Sequence, residues 1–194
     1  MTRLVRSRES SAMGSFSVTM RASVLRFEQR ELALVRRQVT WGACAWLRPF
    51  AFTLNWLSNG WLYGVLVAGL LWFHPPRVFL AIVAAALAVA GAHAIYRWMK
   101  PAAARPRPCD IDPSLKPMLR TLDQYSFPSG HCMTLTCVLI PITTAVPQLA
   151  GLAALLWLLI AWARLATAHH YPTDLIAGTI LGALVAWPIT SLIV

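Results

Sequence analysis

Long apolar runs make up most of the chain after about Leu57, and prolines, arginines or short polar segments separate them. Charged residues account for only 12% of the 194 residues, whereas soluble domains carry roughly 25%. Runs of this length and composition are typical of helices that cross a lipid bilayer. The sequence therefore predicts an all-α fold, a polytopic transmembrane helix bundle.

The apolar runs predict five spans, at residues 56–73, 78–96, 131–146, 149–168 and 174–194. Residues 41–57 are also apolar, but Arg48 and Pro49 lie at their centre. A charged side chain at the bilayer centre costs at least ~2.5 kcal/mol, and an interior proline kinks a helix. We therefore favour an interfacial segment there, with six spans as the alternative.

The N-terminal region differs in composition from the rest. Residues 1–22 are polar and rich in small side chains, which predicts disorder. Residues 22–40 mix arginines with apolar side chains in a pattern that favours a basic amphipathic helix on the membrane surface, or else a partner-binding helix. We accordingly divide the chain into an N-terminal segment, 1–55, and a transmembrane core, 56–194.

The formal net charge of +10 is compatible with a nucleic-acid partner. The basic residues adjoin apolar spans, however, so anionic lipid head groups are the expected partner, and no nucleic acid is expected. The four cysteines form no CxxC pair and have no zinc-like spacing with histidine, and we interpret them as apolar filler residues.

Two polar segments, residues 97–130 and 164–173, are the candidate sites for chemistry. Two predicted spans lie between them, so both segments face the same side of the bilayer. They contain three clusters of reactive side chains: Lys100 and Arg107, followed by Pro108; Ser129, Gly130 and His131 at the start of a span; and Arg164, His170 and Asp174. Each cluster alone can be explained without a function, because Lys100 could be a membrane anchor and Ser129 could be a helix N-cap.

Together the clusters provide what a phosphate site requires. Lys100, Arg107 and Arg164 offer three cations to a dianion. Ser129 and Gly130 stand where a helix begins, so free backbone amides and the helix dipole favour an anion there. In-line displacement at phosphorus needs one entering group and one proton donor, and two histidines are present.

The third cluster predicts a nucleophile with an orienting partner. Asp174 follows His170 by four residues. Its carboxylate can accept the Nδ1–H of His170 and leave Nε2 free to attack, as the aspartate of a serine-protease triad does. His169 is a competing candidate, but its spacing to Arg164 and Asp174 differs by one residue.

The three clusters resemble the three-part signature of the type 2 phosphatidic acid phosphatase family, over roughly residues 100–174. The resemblance implies that His170 forms a phosphohistidine, that Asp174 orients it and that His131 protonates the leaving group. It implies no cofactor and no metal, and it assigns phosphate binding to Lys100, Arg107, Ser129, Gly130 and Arg164. The family commonly has serine where this chain has Ala163.

From this resemblance we expect an integral membrane phosphatase of the bacterial inner membrane. Its substrate would be a phosphomonoester or diphosphate of a phospholipid or polyprenyl lipid, and its other partners would be membrane lipids. Two alternatives stay open: a lipid phosphotransferase with the same phosphohistidine, and a non-catalytic scaffold that binds anionic lipid. The sequence does not identify the lipid, the oligomeric state or the face of the membrane on which the site lies.

Overall fold

The computed structural model describes residues 25–73, 76–115 and 123–194. The segment 1–22, predicted to be disordered, lies outside the described residues. The chain divides into two units, with the boundary between residues 34 and 35. In the first unit, residues 25–34 are helical, as predicted for residues 22–40.

The described part of the chain contains helices and no strand, so the all-α prediction is confirmed. The first helix, α1, covers residues 25–42. The next ones are α2 (Leu47–Ser58), α3 (Trp61–Phe73), α4 (Pro76–Ala103), the short α5 (Pro108–Ile111), α6 (Gly130–Ala145), α7 (Ala150–Ala166) and α8 (Pro172–Ile193). One 3-10 turn, Pro147–Leu149, precedes α7.

Three helical stretches are long and apolar enough to cross a membrane: Val78–Ile111, Pro147–Ala166 and Pro172–Ile193. Two shorter apolar helices, Trp61–Trp72 and Gly130–Ala145, lie within or overlap the other two predicted spans. Large apolar side chains on these helices point outward, and Leu192 and Trp72 are among the most exposed. This exposure suits lipid contact, while the number of crossings stays a prediction.

Helices α4, α6 and α8 pack against one another at the centre of the bundle. Small side chains permit this close packing, because Ala88, Ala92 and Ala186 are fully buried between the helices. Glycines on α8 let it approach α6 most closely. A Cβ atom added at Gly178 would overlap the carbonyl oxygen of Ser129, and one at Gly182 would lie 2.6 Å from the carbonyl oxygen of Met133.

Helix α2 packs against α7. Asn55 on α2 is fully buried, and its Nδ2 donates to the carbonyl oxygens of Ala51 at 2.9 Å and Ala163 at 3.0 Å. The chain then turns at Gly60, whose φ of +142° is one that glycine adopts without strain. This turn separates α2 from α3.

Three details differ from the sequence-based expectations. The predicted span 56–73 is interrupted, because α2 ends at Ser58 and α3 begins at Trp61. Arg48 and Pro49 lie in the first turn of α2 rather than at the centre of a helix. A proline is tolerated there, because the backbone N–H groups of the first turn have no hydrogen-bond partner within the helix. Helix α4 runs past its predicted end at 96 to Ala103, which places Lys100 inside its last turn.

Candidate active site

The three predicted clusters meet at one end of the helix bundle. Lys100 and Arg164 lie in the last turns of α4 and α7, which run toward this end. Ser129 and Asp174 lie at the starts of α6 and α8, which run away from it. The two starts are joined directly, since the backbone N–H of Ser129 donates to the carbonyl oxygen of Asp174 at 2.9 Å.

The three predicted cations are buried almost completely. The exposed fraction is 6% for Lys100, 2% for Arg107 and 4% for Arg164. Arg107 donates from Nη1 to the carbonyl oxygen of His169 at 2.6 Å, and Arg164 donates from Nη1 to Oδ1 of Asn55 at 2.7 Å. Burying a cation is costly unless the cation is paired. Any N–H group of these side chains that has no partner therefore indicates where an anion could bind.

Both arginines retain a buried N–H group that the described residues leave without a hydrogen-bond partner. These groups are Nε of Arg107 and Nε of Arg164. Buried polar groups in proteins nearly always have a partner, and the exceptions often mark a binding site. Two unpaired guanidinium N–H groups in one cluster are donors suited to an anion.

Asp123, which the sequence analysis did not predict, bridges two of these cations. Its Oδ2 accepts from Nζ of Lys100 at 2.5 Å and from the hydroxyl of Tyr96 at 2.8 Å, and its Oδ1 accepts from Nη2 of Arg107. Partial burial raises the pKa of Asp123, but the Lys100 and Tyr96 hydrogen bonds and the nearby cations outweigh it. The pKa of Asp123 therefore lies below its ordinary value, and the carboxylate is ionised at neutral pH.

His170 is fully buried in the loop between α7 and α8. Burial lowers its pKa well below the ordinary histidine value, and the positive charges of Arg164, Arg107 and Lys100 lower it further. The imidazole is therefore neutral at neutral pH, which is the form that can act as a nucleophile.

Asp174 lies near His170 but is held by other groups. The distance from His170 Nδ1 to Asp174 Oδ2 is 3.6 Å, longer than the roughly 3.2 Å of an N–H···O hydrogen bond. The direct hydrogen bond that we expected from Nδ1–H of His170 to the Asp174 carboxylate is therefore not formed. Asp174 instead accepts from the backbone N–H of Tyr171 at 2.8 Å and from Nη1 of Arg105 at 2.7 Å. Arg105 was also not predicted from the sequence.

His131 lines a cavity of about 310 Å³. One of its ring nitrogens, Nε2, is 2.8 Å from Oδ1 of Asn59, which follows α2. The cavity is also lined by Tyr63, His93 and Asp123. Gly130 leaves room for Tyr96 beside this cavity, because a Cβ atom at position 130 would lie 2.8 Å from the Tyr96 hydroxyl.

The predicted residues thus fall into two connected groups within one region. Lys100 and Arg107 are joined through Asp123, while Ser129, His170 and Asp174 meet at the start of α8. Arg164 contacts Asn55 of α2, and His131 contacts Asn59, the residue after α2. Within residues 25–73, 76–115 and 123–194, no three histidine, cysteine or acidic side chains are grouped as metal ligands would be.

The family model of the PAP2 superfamily matches residues 77–194, which include all the predicted site residues. The chain belongs to the PAP2 superfamily. This confirms the resemblance drawn from the three clusters. A comparison with curated protein sequences finds no match. Asn55 and Asn59, which contact two site residues of this PAP2 protein, lie outside the matched region.

Two solved structures share the fold of this PAP2 protein. One is a transmembrane PAP2 type phosphatidylglycerolphosphate phosphatase from Bacillus subtilis, with a TM-score of 0.65, 19% identity and coverage of 86% of each chain. The other is LpxE from Aquifex aeolicus, with a TM-score of 0.66 and 20% identity; the match covers 82% of this chain and 94% of that one. With its apolar helices, this PAP2 chain is an integral membrane protein.

Proposed function

We propose that this protein is a lipid phosphatase that hydrolyses a phosphomonoester or diphosphate through a phosphohistidine at His170. One observation carries the proposal: three buried cations and a neutral, buried imidazole converge at the end of a membrane helix bundle. The unpaired N–H groups of Arg107 and Arg164 are suited to phosphate oxygens. A site held by membrane helices suits a substrate that is itself in the membrane.

The first step of the proposed reaction is attack by the neutral imidazole of His170 on phosphorus. The new N–P bond forms as the P–O bond to the lipid breaks. His131, which carries a proton when the substrate dianion lies beside it, gives that proton to the leaving oxygen. Lys100, Arg107 and Arg164 stabilise the charge on the other phosphate oxygens. Backbone amides at the start of α6, after Ser129, face the same anion.

In the second step a water molecule replaces the imidazole at phosphorus. His131, now neutral, accepts a proton from that water, the N–P bond breaks, and inorganic phosphate is released. Asp174 stabilises the positive charge on the His170 ring while the phosphohistidine exists. The ion pair between Asp174 and Arg105, at 2.7 Å, holds the carboxylate in place beside the ring.

The test is to trap the phosphohistidine. Purified protein is mixed with a ³²P-labelled phosphomonoester lipid and quenched in alkali, where phosphohistidine survives, and the label is then measured on the protein. We expect label on the wild type, and slower labelling of a His131→Ala variant, which lacks the proton donor of the first step. We expect no label and no phosphate release from His170→Ala.

His169→Ala is the matched control, because it removes the neighbouring imidazole but keeps the backbone carbonyl that Arg107 contacts. It should retain the label. Phosphate release by His170→Ala at the wild-type rate, or label that persists on it, would refute the assignment of the nucleophile.

A further inference from the structure

Asp123 occupies the position where a substrate phosphate would meet two of its cations. Its two carboxylate oxygens contact Lys100 and Arg107 separately, in the way that two oxygens of one phosphate would. The Tyr96 hydroxyl donates to the same carboxylate at 2.8 Å. The third cation, Arg164, donates from Nη1 to Oδ1 of Asn55.

The partners of this ion-pair cluster differ in their access to water. The side chain of Asp123 is 36% exposed, whereas those of Lys100 and Arg107 are 7% and 3% exposed. Asp123 also lies in the loop before α6 and not within a helix. The carboxylate can therefore be hydrated when it leaves the cluster, while the two cations stay buried and need a replacement anion.

We propose that Asp123 is an internal competitor for the phosphate site. Its carboxylate neutralises Lys100 and Arg107 in the empty enzyme, is displaced by the substrate phosphate, and returns as inorganic phosphate leaves. Asp123 thereby determines how tightly the site holds any phosphate. The inference rests on the proposed function, because it concerns the same set of cations.

The consequence is an equal weakening of substrate and product binding. Every anion that enters must first break the contacts of Asp123 with Lys100 and Arg107, so its dissociation constant rises by the same factor. A tightly held product would slow turnover, and a carboxylate that competes for the cations speeds product release. A purely structural ion pair would have the opposite effect, since its loss would disorder the cations and weaken phosphate binding.

The experiment measures binding and turnover separately on the full-length protein in a neutral detergent. Isothermal titration with inorganic phosphate gives the dissociation constant without any need for catalysis. For Asp123→Asn we expect this constant to fall by about tenfold or more, as expected for loss of a competing charge-assisted hydrogen bond. The KM for a phosphomonoester lipid should fall by a similar factor, while kcat stays equal or decreases.

Asp110→Asn is the matched control. Asp110 is exposed in the same polar segment, and its Oδ2 accepts from the backbone N–H of Arg107 at 3.2 Å, a bond that asparagine can also accept. Asp110→Asn removes one negative charge, as Asp123→Asn does, but leaves the contacts of Asp123 with Lys100 and Arg107 in place. The phosphate affinity of Asp110→Asn should therefore stay within about twofold of the wild-type value. Asp123→Glu restores the negative charge and should bring phosphate affinity back toward the wild-type value.

Weaker or unchanged phosphate binding by Asp123→Asn would overturn the inference, and so would an equal gain in Asp110→Asn. If neither the wild type nor Asp123→Asn binds phosphate, the cations are not a phosphate site and the inference also fails. The proposed function is judged separately, by phosphate release from the lipid. If the wild type hydrolyses the lipid, but Asp123→Asn binds phosphate no more tightly than the wild type does, only the proposed role of Asp123 is refuted.

Discussion

Asn55 gives the sharpest test of how the site is assembled, because it lies outside the region matched by the PAP2 family model. Its Oδ1 accepts from Nη1 of Arg164 at 2.7 Å, and both side chains are buried. In Asn55→Leu, which has a similar volume and no acceptor, this hydrogen bond is lost. The two carbonyls that Asn55 contacts keep other donors, since Ala163 also accepts from Thr167 and Ala51 lies within a helix.

The net loss is therefore one hydrogen bond to a buried cation. Such a bond contributes roughly 1.5–3 kcal/mol, which corresponds to roughly 10- to 150-fold in an equilibrium constant or rate. Arg164 freed from Asn55 no longer has its guanidinium directed at the phosphate. We expect kcat/KM for a phosphomonoester lipid to fall by that factor.

The assay measures kcat/KM in detergent micelles, together with the thermal unfolding midpoint of the same preparation. Thr53→Ala is the control, because Thr53 lies on the same helix, is exposed, and donates only to the carbonyl oxygen of Pro49 in the described structure. It should change kcat/KM by less than about twofold. A folded Asn55→Leu protein with kcat/KM within about twofold of wild type would show that Asn55 does not position Arg164.

Two further predictions concern pH and packing. Because burial and three nearby cations lower the pKa of His170 in the folded protein, its ring should stay neutral as the pH falls through 6.5, where an unfolded histidine gains a proton. The stability that it contributes is complete above that pH and is lost below it. NMR of ¹⁵N-histidine protein, assigned with His170→Ala, should show no titration of His170 near pH 6.5, and a midpoint at or above that value would contradict the burial argument. Gly178→Ala should destabilise the bundle by about 1–3 kcal/mol, because the added Cβ would overlap the Ser129 carbonyl oxygen. Gly151→Ala is the control and should not destabilise it, because no atom lies within 4 Å of a Cβ added there. Equal thermal unfolding midpoints for the two variants would refute the close-packing argument.

The helices and the main cluster residues were predictable from local pattern. Apolar runs of membrane length reveal spans directly, because a helix in lipid must satisfy its backbone hydrogen bonds internally and present apolar side chains outward. Arg107, His131 and His170 stand at fixed spacings from prolines, glycines and acids, so motif spacing was sufficient to nominate them. Helix ends were less predictable. Helix α4 continues to Ala103, beyond the end of the predicted span at residue 96, because one charged residue does not break a helix.

The residues missed by the sequence analysis carry weaker signals. Asp123 is one of three acids in a basic polar segment, with Asp110 and Asp112, and its spacing does not distinguish it from them. Arg105 lies two residues before Arg107, close enough to be taken for part of the same charged run. Asn55 and Asn59 lie in an apolar, tryptophan-rich stretch far from the clusters, and a lone asparagine there has no spacing relation to any of them.

The helical membrane class and the three clusters could be predicted from the sequence, because apolar periodicity and motif spacing are local properties of the chain. The contacts of Asp123 with Lys100 and Arg107, of Asn55 with Arg164 and of Asp174 with Arg105 could be identified only in the folded chain. These contacts join residues 16 to 109 positions apart. Which side chain neutralises a buried charge depends on how the helices pack, and helix packing is not encoded in any short stretch of sequence.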